Sequence, residues 1–187
     1  MDKQQEAIGN MKACNQELLD LVQILLETYK VNETGIFLDK KEIALNPLIC
    51  TSIDEMQPIA QKSDINMFFT PQEDMHIFAD NMQLRRVIKN LIQNAISHSD
   101  SNNDINIRTG KDKEFVYICI IDYGKGIAKD DIGKIFNKYY STANKFRKIG
   151  TGLGLYLSQQ IIKSHGGEIL VTSEENVCTE FCIKLPK

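Results

Sequence analysis

The chain has 187 residues with Lys+Arg 22 against Asp+Glu 25, a net charge of −3, and 42% hydrophobic and 25% charged residues. That is enough chain to hide roughly 70% of its unfolded surface in one domain, with or without a short appendage, and no basic excess exists to neutralise a nucleic acid. No apolar run reaches membrane-spanning length, no signal peptide stands at Met1, and five cysteines without a C-x-x-C pair point to reduced, mostly core thiols in a cytoplasmic protein.

Residues 10–33 contain neither Pro nor Gly, and Leu18, Val22, Leu25 and Tyr29 repeat at i, i+4, i+7 and i+11. Leu19 and Leu26 widen this stripe, which a lone helix cannot bury. It needs a partner helix, from another chain or from an upstream segment; the alternative is a helix packed on its own domain. Gly35 is the expected stop. Residues 42–45 then read as a short strand, and Pro47 opens a helix continuing through Ile49, Ile53, Met56 and Ile59. Strands at 66–70 and 75–79 flank a turn with Pro71. Asp80 is placed to cap a helix running to about Ser97. Residues 104–109 and 114–121 predict a hairpin around Gly110-Lys111-Asp112, whereas 124–150 shows no clean period. A helix at 152–164 ends at Gly166-Gly167, and strands at 168–173 and 178–185 close the chain around Glu175-Asn176. The order predicts a two-layer α/β sandwich, a mixed and mainly antiparallel sheet with helices on one face, preceded by one long helix.

Eight of the 11 glycines fall between Gly124 and Gly167. Such clustering means close backbone approach or backbone that must move. Gly150-Thr151-Gly152-Leu153-Gly154 opens a helix, so its unpaired amides and positive end suit a phosphate. A flexible helix start explains it equally well, since it is neither a dinucleotide fingerprint nor a Walker loop. In the helix beginning at residue 81, Leu84, Val87, Ile88, Leu91, Ile92 and Ala95 form the core face. Asn90 and Asn94 stack one turn apart beside it, with His98 one turn further. Two poor helix formers in mid-helix suit oxygen ligation of Mg²⁺, or simply a solvated polar face. Asp122 ends the apolar strand ahead of Tyr123-Gly124-Lys125-Gly126-Ile127. A carboxylate there needs a donor, which an adenine amino group or its own turn backbone would supply.

In this order the three elements resemble the ATP-binding domain shared by sensor histidine kinases and gyrase/Hsp90/MutL-like ATPases. The N box looks like Asn90-Leu91-Ile92-Gln93-Asn94-Ala95 and the first glycine box like Asp122-Tyr123-Gly124-Lys125-Gly126. The F box looks like Ile135-Phe136-Asn137-Lys138-Tyr139-Tyr140, and the second glycine box like Gly150-Thr151-Gly152-Leu153-Gly154-Leu155. The resemblance covers the chain from about Lys41, and the last two boxes point to histidine kinases within the superfamily. It implies a catalytic ATP-binding domain over 36–187, with residues 1–35 resembling the second helix of a dimerisation and phosphoacceptor hairpin. It further implies that Asn94 holds Mg²⁺ with Asn90 beside it near the phosphates. Asp122 would accept from adenine, with Gly124, Gly126 and Ile127 lining the base. Gly150, Gly152 and Gly154 would hinge and dock a lid over about 128–149; Thr151 and Leu153 between them, and Tyr140, Lys145 and Arg147 in the lid, are candidate nucleotide contacts.

Two positions depart from the pattern: Ser97 stands where many members carry a basic residue, and His98 replaces a frequent Tyr while remaining able to pack on the nucleotide. The only histidines are His76, His98 and His165, none in the N-terminal helix, so the phosphoacceptor is expected on a hairpin outside this chain. The implied partners are that hairpin, a response regulator and a second copy through the N-terminal helix, in a cytoplasmic setting, with no nucleic acid. Alternatives of the same fold are an anti-sigma-type serine kinase or regulatory module, and a nucleotide-binding scaffold without activity.

Overall fold

A computed structural model describes residues 35–72, 75–100, 103–140 and 152–187, together with Met11, Asn15, Leu19, Val22, Leu25, Leu26 and Tyr29. These seven isolated residues are all helical, and the apolar ones among them are exposed, Leu19 at 56% and Tyr29 at 66%. Leu18, the first member of the expected stripe, lies outside the described residues.

The body runs β1 (Lys41–Ala44), α1 (Leu45–Lys62), β2 (Asn66–Thr70), β3 (His76–Ala79), α2 (Asn81–His98), β4 (Asp104–Lys111), β5 (Phe115–Asp122), α3 (Lys129–Ile132), α4 (Gly154–Ser164), β6 (Glu168–Glu174) and β7 (Cys178–Pro186). Five strands form one sheet in the order β2-β4-β5-β7-β6, while β1 and β3 pair separately as an antiparallel ribbon. Only β2–β4 is parallel. Helices α1, α2 and α4 cover one face of the sheet: α1 packs over β2, α2 over β5 and α4 over β6. The alternation of β5 and β7 follows from this, since Val116, Ile118 and Ile120 meet Phe181, Ile183 and Leu185 inside while their neighbours face outward. Leu84, Val87, Ile88, Leu91 and Ile92 of α2 are each 0% exposed, so this helix is the axis of the helical layer.

Asp80 ties the layer together. Its Oδ1 accepts from Gln83 N at 3.0 Å as the N-cap of α2, and its Oδ2 accepts from Asp39 N at 2.9 Å. Its own amide donates to His165 Nε2 at 3.0 Å, joining the start of α2 to the end of α4. His165 Nδ1 then donates to Ile161 O at 2.8 Å, which fixes a neutral ring with both nitrogens engaged.

Three expectations need correction. Helix α4 begins at Gly154, not at residue 152, because Gly152 sits at φ +65 and turns the chain before the helix. The stretch 124–150 contains the short helix α3, whose four residues are too few to show a period. The cysteines are not all reduced core thiols: Cys119 and Cys182 are bonded to each other across β5 and β7. Cys50 is an exposed free thiol and Cys178 a half-buried one.

Candidate nucleotide site

The site forms where the C-terminal end of β5 meets the last turns of α2 and the start of α4. Asp122 is the last residue of β5 and points inward, 3% exposed. Its Oδ1 accepts from Gly124 N at 3.1 Å, so the turn bond foreseen as an alternative does form. One such bond does not offset the desolvation, and burial pushes the carboxyl up to about 6. Thr179, its partner in the β5–β7 register, is 4% exposed. Ser173 Oγ lies 2.9 Å from Thr179 Oγ1 and accepts from Ile127 N at 2.9 Å, so a polar floor continues from Asp122 under the turn. Thr179 and Ser173 were not singled out in the sequence. The available signal was a hydroxyl at an inward-facing position of an otherwise apolar strand.

The glycines of the turn are required by chain packing. A Cβ on Gly124 would collide with the His98 carbonyl, and one on Gly126, at φ +67, would collide with the Glu174 carbonyl. Lys125 N also donates to His98 O at 3.3 Å, so the glycine turn is stitched to the end of α2. His98 itself is exposed at the rim.

On α2 the two asparagines differ. Asn90 Nδ2 donates to Ser158 Oγ at 2.9 Å, and a Cβ on Gly154 would stand 2.5 Å from Asn90 Oδ1. Asn90 therefore fixes the start of α4 against α2. Asn94 is half-buried, and no hydrogen bond among the described residues holds its side chain. A shallow cleft here is lined by Arg86, Asn90, Gly154, Leu157, Ser158 and Ile161; it takes in Asn90 and Gly154 but neither Asn94 nor Asp122. Helix α4 starts after Leu153, which supplies no side-chain cap, and a helix start is the end that suits an anion. Leu153 is itself buried, 1% exposed.

Tyr139 N donates to Gly152 O at 3.0 Å, and Gly152 lies against the backbone of Tyr139 and Tyr140, so the chain leading into α4 returns to the middle of the expected lid. Tyr140 is half-buried, and its hydrogen bond to Asp131 holds the phenol above its ordinary range. Lys145, Arg147, Gly150 and Thr151 lie outside the described residues. Among the described residues no group of three His, Cys, Asp or Glu side chains could hold a metal, and no helix is long and apolar enough to cross a membrane.

A two-layer sandwich with a buried acid at a strand end, a paired-asparagine helix and an uncapped helix start defines a nucleotide-binding class of α/β domain. Comparison with known proteins makes this specific. Residues 79–187 match the family described as histidine kinase-, DNA gyrase B- and HSP90-like ATPases, and the chain belongs to that family. It is 29% identical to the sensor histidine kinase YvrG of Bacillus subtilis over 89% of this chain and 29% of that one. It is 33% identical to the sensor histidine kinase ZraS of Escherichia coli over 89% of this chain and 34% of that one. The chain thus spans about a third of these relatives. Among solved structures, the catalytic domain of the histidine kinase ThkA matches with a TM-score of 0.72 and 30% identity, covering 80% of this chain and 96% of that one. ThkA in complex with the response regulator protein TrrA matches with a TM-score of 0.77 and 28% identity, over 92% of this chain and 49% of that one.

Proposed function

We propose that this chain is the ATP-binding catalytic part of a two-component sensor histidine kinase, moving the γ-phosphoryl group of ATP to a histidine on a hairpin outside the chain. The observation that carries this reading is Asp122, an acid buried at a strand end beside a glycine turn and short of donors. The adenine amino group supplies the missing donor, and Ser173 and Thr179 form the polar surround of the base with Gly124, Gly126 and Ile127. The phosphates lie toward the uncapped start of α4, bounded by Gly152, Leu153 and Gly154, with His98 at the rim. Tyr140, Lys145, Arg147, Gly150 and Thr151 belong to the segment that closes over them.

Mg²⁺ fits this donor set: the half-buried, unheld side chain of Asn94 offers one oxygen, and the remaining positions suit phosphate oxygens and water. When bound, the ion neutralises charge building on the transferred phosphoryl group. Asn90 is a positioning residue, holding α4 through Ser158. No nucleophile is needed from the chain, because phosphoryl transfer depends on positioning and charge.

Residues 1–35 serve as the second helix of the dimerisation hairpin and 36–187 as the catalytic domain. The exposed helical residues Leu19, Val22, Leu25, Leu26 and Tyr29 support pairing with a second copy. The full protein passes its phosphoryl group to a response regulator in the cytoplasm. The test is incubation with labelled ATP and Mg²⁺, with and without an added acceptor hairpin from a sensor histidine kinase. Acid-labile label is expected on the hairpin and none on this chain alone. Nucleotide bound without any transfer would overturn the kinase reading and leave a binding module.

A further inference from the structure

The outer face of the sheet carries a pair of side chains that nucleotide chemistry does not use. Cys119 of β5 stands directly opposite Cys182 of β7 in the antiparallel register, with Cα atoms 4.0 Å apart and the two sulfurs joined. Both lie on the face that the helices leave uncovered, since Ile118, Ile120, Phe181 and Ile183 on either side point inward. The row across this face runs Arg108, Cys119, Cys182, Leu170. Cys119 is buried within the row at 7% exposure, whereas Cys182 is half-buried and offers the sulfur that a small molecule reaches.

We infer that Cys119 and Cys182 form a redox-modifiable site that exchanges with small dithiols and their disulfides, and that the oxidised form locks β5 to β7 beneath the nucleotide site. In reduction, a thiolate of the small dithiol attacks Cys182 Sγ and the Cys119–Cys182 bond breaks, with Cys119 leaving as thiolate. Arg108 stands opposite Cys119 in the β4–β5 register, with its guanidinium paired with Glu180. The second thiol of the reagent then displaces Cys182. The reagent leaves as its cyclic disulfide, and two electrons and two protons end on the cysteines. Oxidation is the reverse, with the small disulfide as electron acceptor.

The position of the bond gives it reach. Asp122 lies three residues beyond Cys119, its partner Thr179 three residues before Cys182, and the sequence separation of 63 between the cysteines encloses the glycine turn, the lid, α4 and β6. On the proposed reading of the nucleotide site, each of its elements apart from α2 falls inside the closed loop. Oxidation therefore suppresses opening of the β5–β7 ladder on which Asp122 and Thr179 meet.

The experiment equilibrates the chain with reduced and oxidised dithiothreitol at graded ratios, traps free thiols by alkylation and weighs the intact protein. The chain has five cysteines. Five alkyl groups are expected at the reducing end and three at the oxidising end, with Cys50→Ser and Cys178→Ser keeping the loss of two. Cys182→Ser, and independently Cys119→Ala, should show no protected pair at any ratio. Amides of the β5–β7 ladder should exchange at least about tenfold faster in the reduced parent, the low end of what closing a loop of this length does to an opening equilibrium. Full alkylation at every ratio, protection that survives Cys182→Ser, or equal exchange in both states would each overturn the inference. None of these readouts needs nucleotide, so failure here is distinct from failure of the kinase reading.

Discussion

Protonating Asp122 should weaken adenine-nucleotide binding, and the size of the effect follows from its surroundings. Burial raises this carboxyl from 3.8 to about 6, with the bond from Gly124 N opposing the shift. If only the charged form accepts well from the amino group, the apparent dissociation constant grows with the protonated fraction. Affinity at pH 5 should then be about tenfold weaker than at pH 7.5. Calorimetry with Mg²⁺-ADP at several pH values measures this. The phosphates titrate too, so the informative quantity is the ratio of parent to Asp122→Asn, in which their contribution cancels. The parent should gain affinity as pH rises through about 6 and the variant should not. Parallel pH profiles for the two proteins would refute the assignment of Asp122 to the base.

The same residue sets a stability cost of opposite sense. Because the folded carboxyl binds its proton more tightly than the unfolded one, stability falls as pH rises through the window from about 4 to 6 and the penalty is complete above it. A displacement of this size corresponds to about 3 kcal/mol. Asp122→Asn keeps an oxygen for Gly124 N, so it should be more stable than the parent near pH 7 while losing adenine preference. Urea unfolding at pH 4 and pH 7 reads the difference.

Further outcomes concern the glycines, the buried histidine and the disulfide. Gly154→Ala should fold normally yet weaken Mg²⁺-ATP binding, because its Cβ meets the movable Asn90 amide at 2.5 Å and disturbs the Asn90–Ser158 bond. Gly126→Ala should instead lose about 2 kcal/mol or more in denaturant midpoint analysis, being held at φ +67 against the Glu174 carbonyl. Burial holds His165 below its ordinary 6.5, so its contribution is present above that value and lost as pH falls from there through the lower folded value. His165→Ala, which strands the Asp80 amide, should cost about 1–3 kcal/mol and flatten that part of the pH–stability curve. Reducing the Cys119–Cys182 bond should lower unfolding free energy by about 4 kcal/mol, given a sequence separation of 63. Urea titrations with and without dithiothreitol check it.

The elements most legible in the sequence are those whose signals are local. Strand β2 spans Asn66–Thr70 as its alternation predicts, and α2 starts at its Asp80 cap with the expected buried face. The hairpin β4–β5 shows itself through Gly110 and Asp112, the latter accepting from Glu114 N and Phe115 N. What stayed hidden is non-local. The parallel pairing of β2 with β4 and the separate β1–β3 ribbon depend on where α2 delivers the chain. The joining of Cys119 to Cys182 depends on β5–β7 register, which no spacing rule exposes across 63 residues. Thr179 and Ser173 look like ordinary strand hydroxyls until β6 and β7 bring them to Ile127 and Asp122.

The glycine cluster has reasons in chain packing as well as in any ligand. In the sequence its density means close backbone approach or backbone that must move, and Gly124, Gly126 and Gly152 are each required where one stretch of backbone presses on another. Gly124 docks the β5 turn on the end of α2, Gly126 docks it on the β6–β7 turn, and Gly152 docks the start of α4 on Tyr139 and Tyr140. Gly154 differs in that its nearest neighbour is a side chain, that of Asn90. These contacts draw a strand end, a helix end and a helix start together around Asp122 without any side chain between them. A Cβ at the first three would push apart the walls of the site before it met a nucleotide. Their substitution should therefore damage fold and binding together, whereas Asp122 and Gly154 change binding in a protein that remains folded. That separation between walls and contacts is what nucleotide titrations of the folded variants measure.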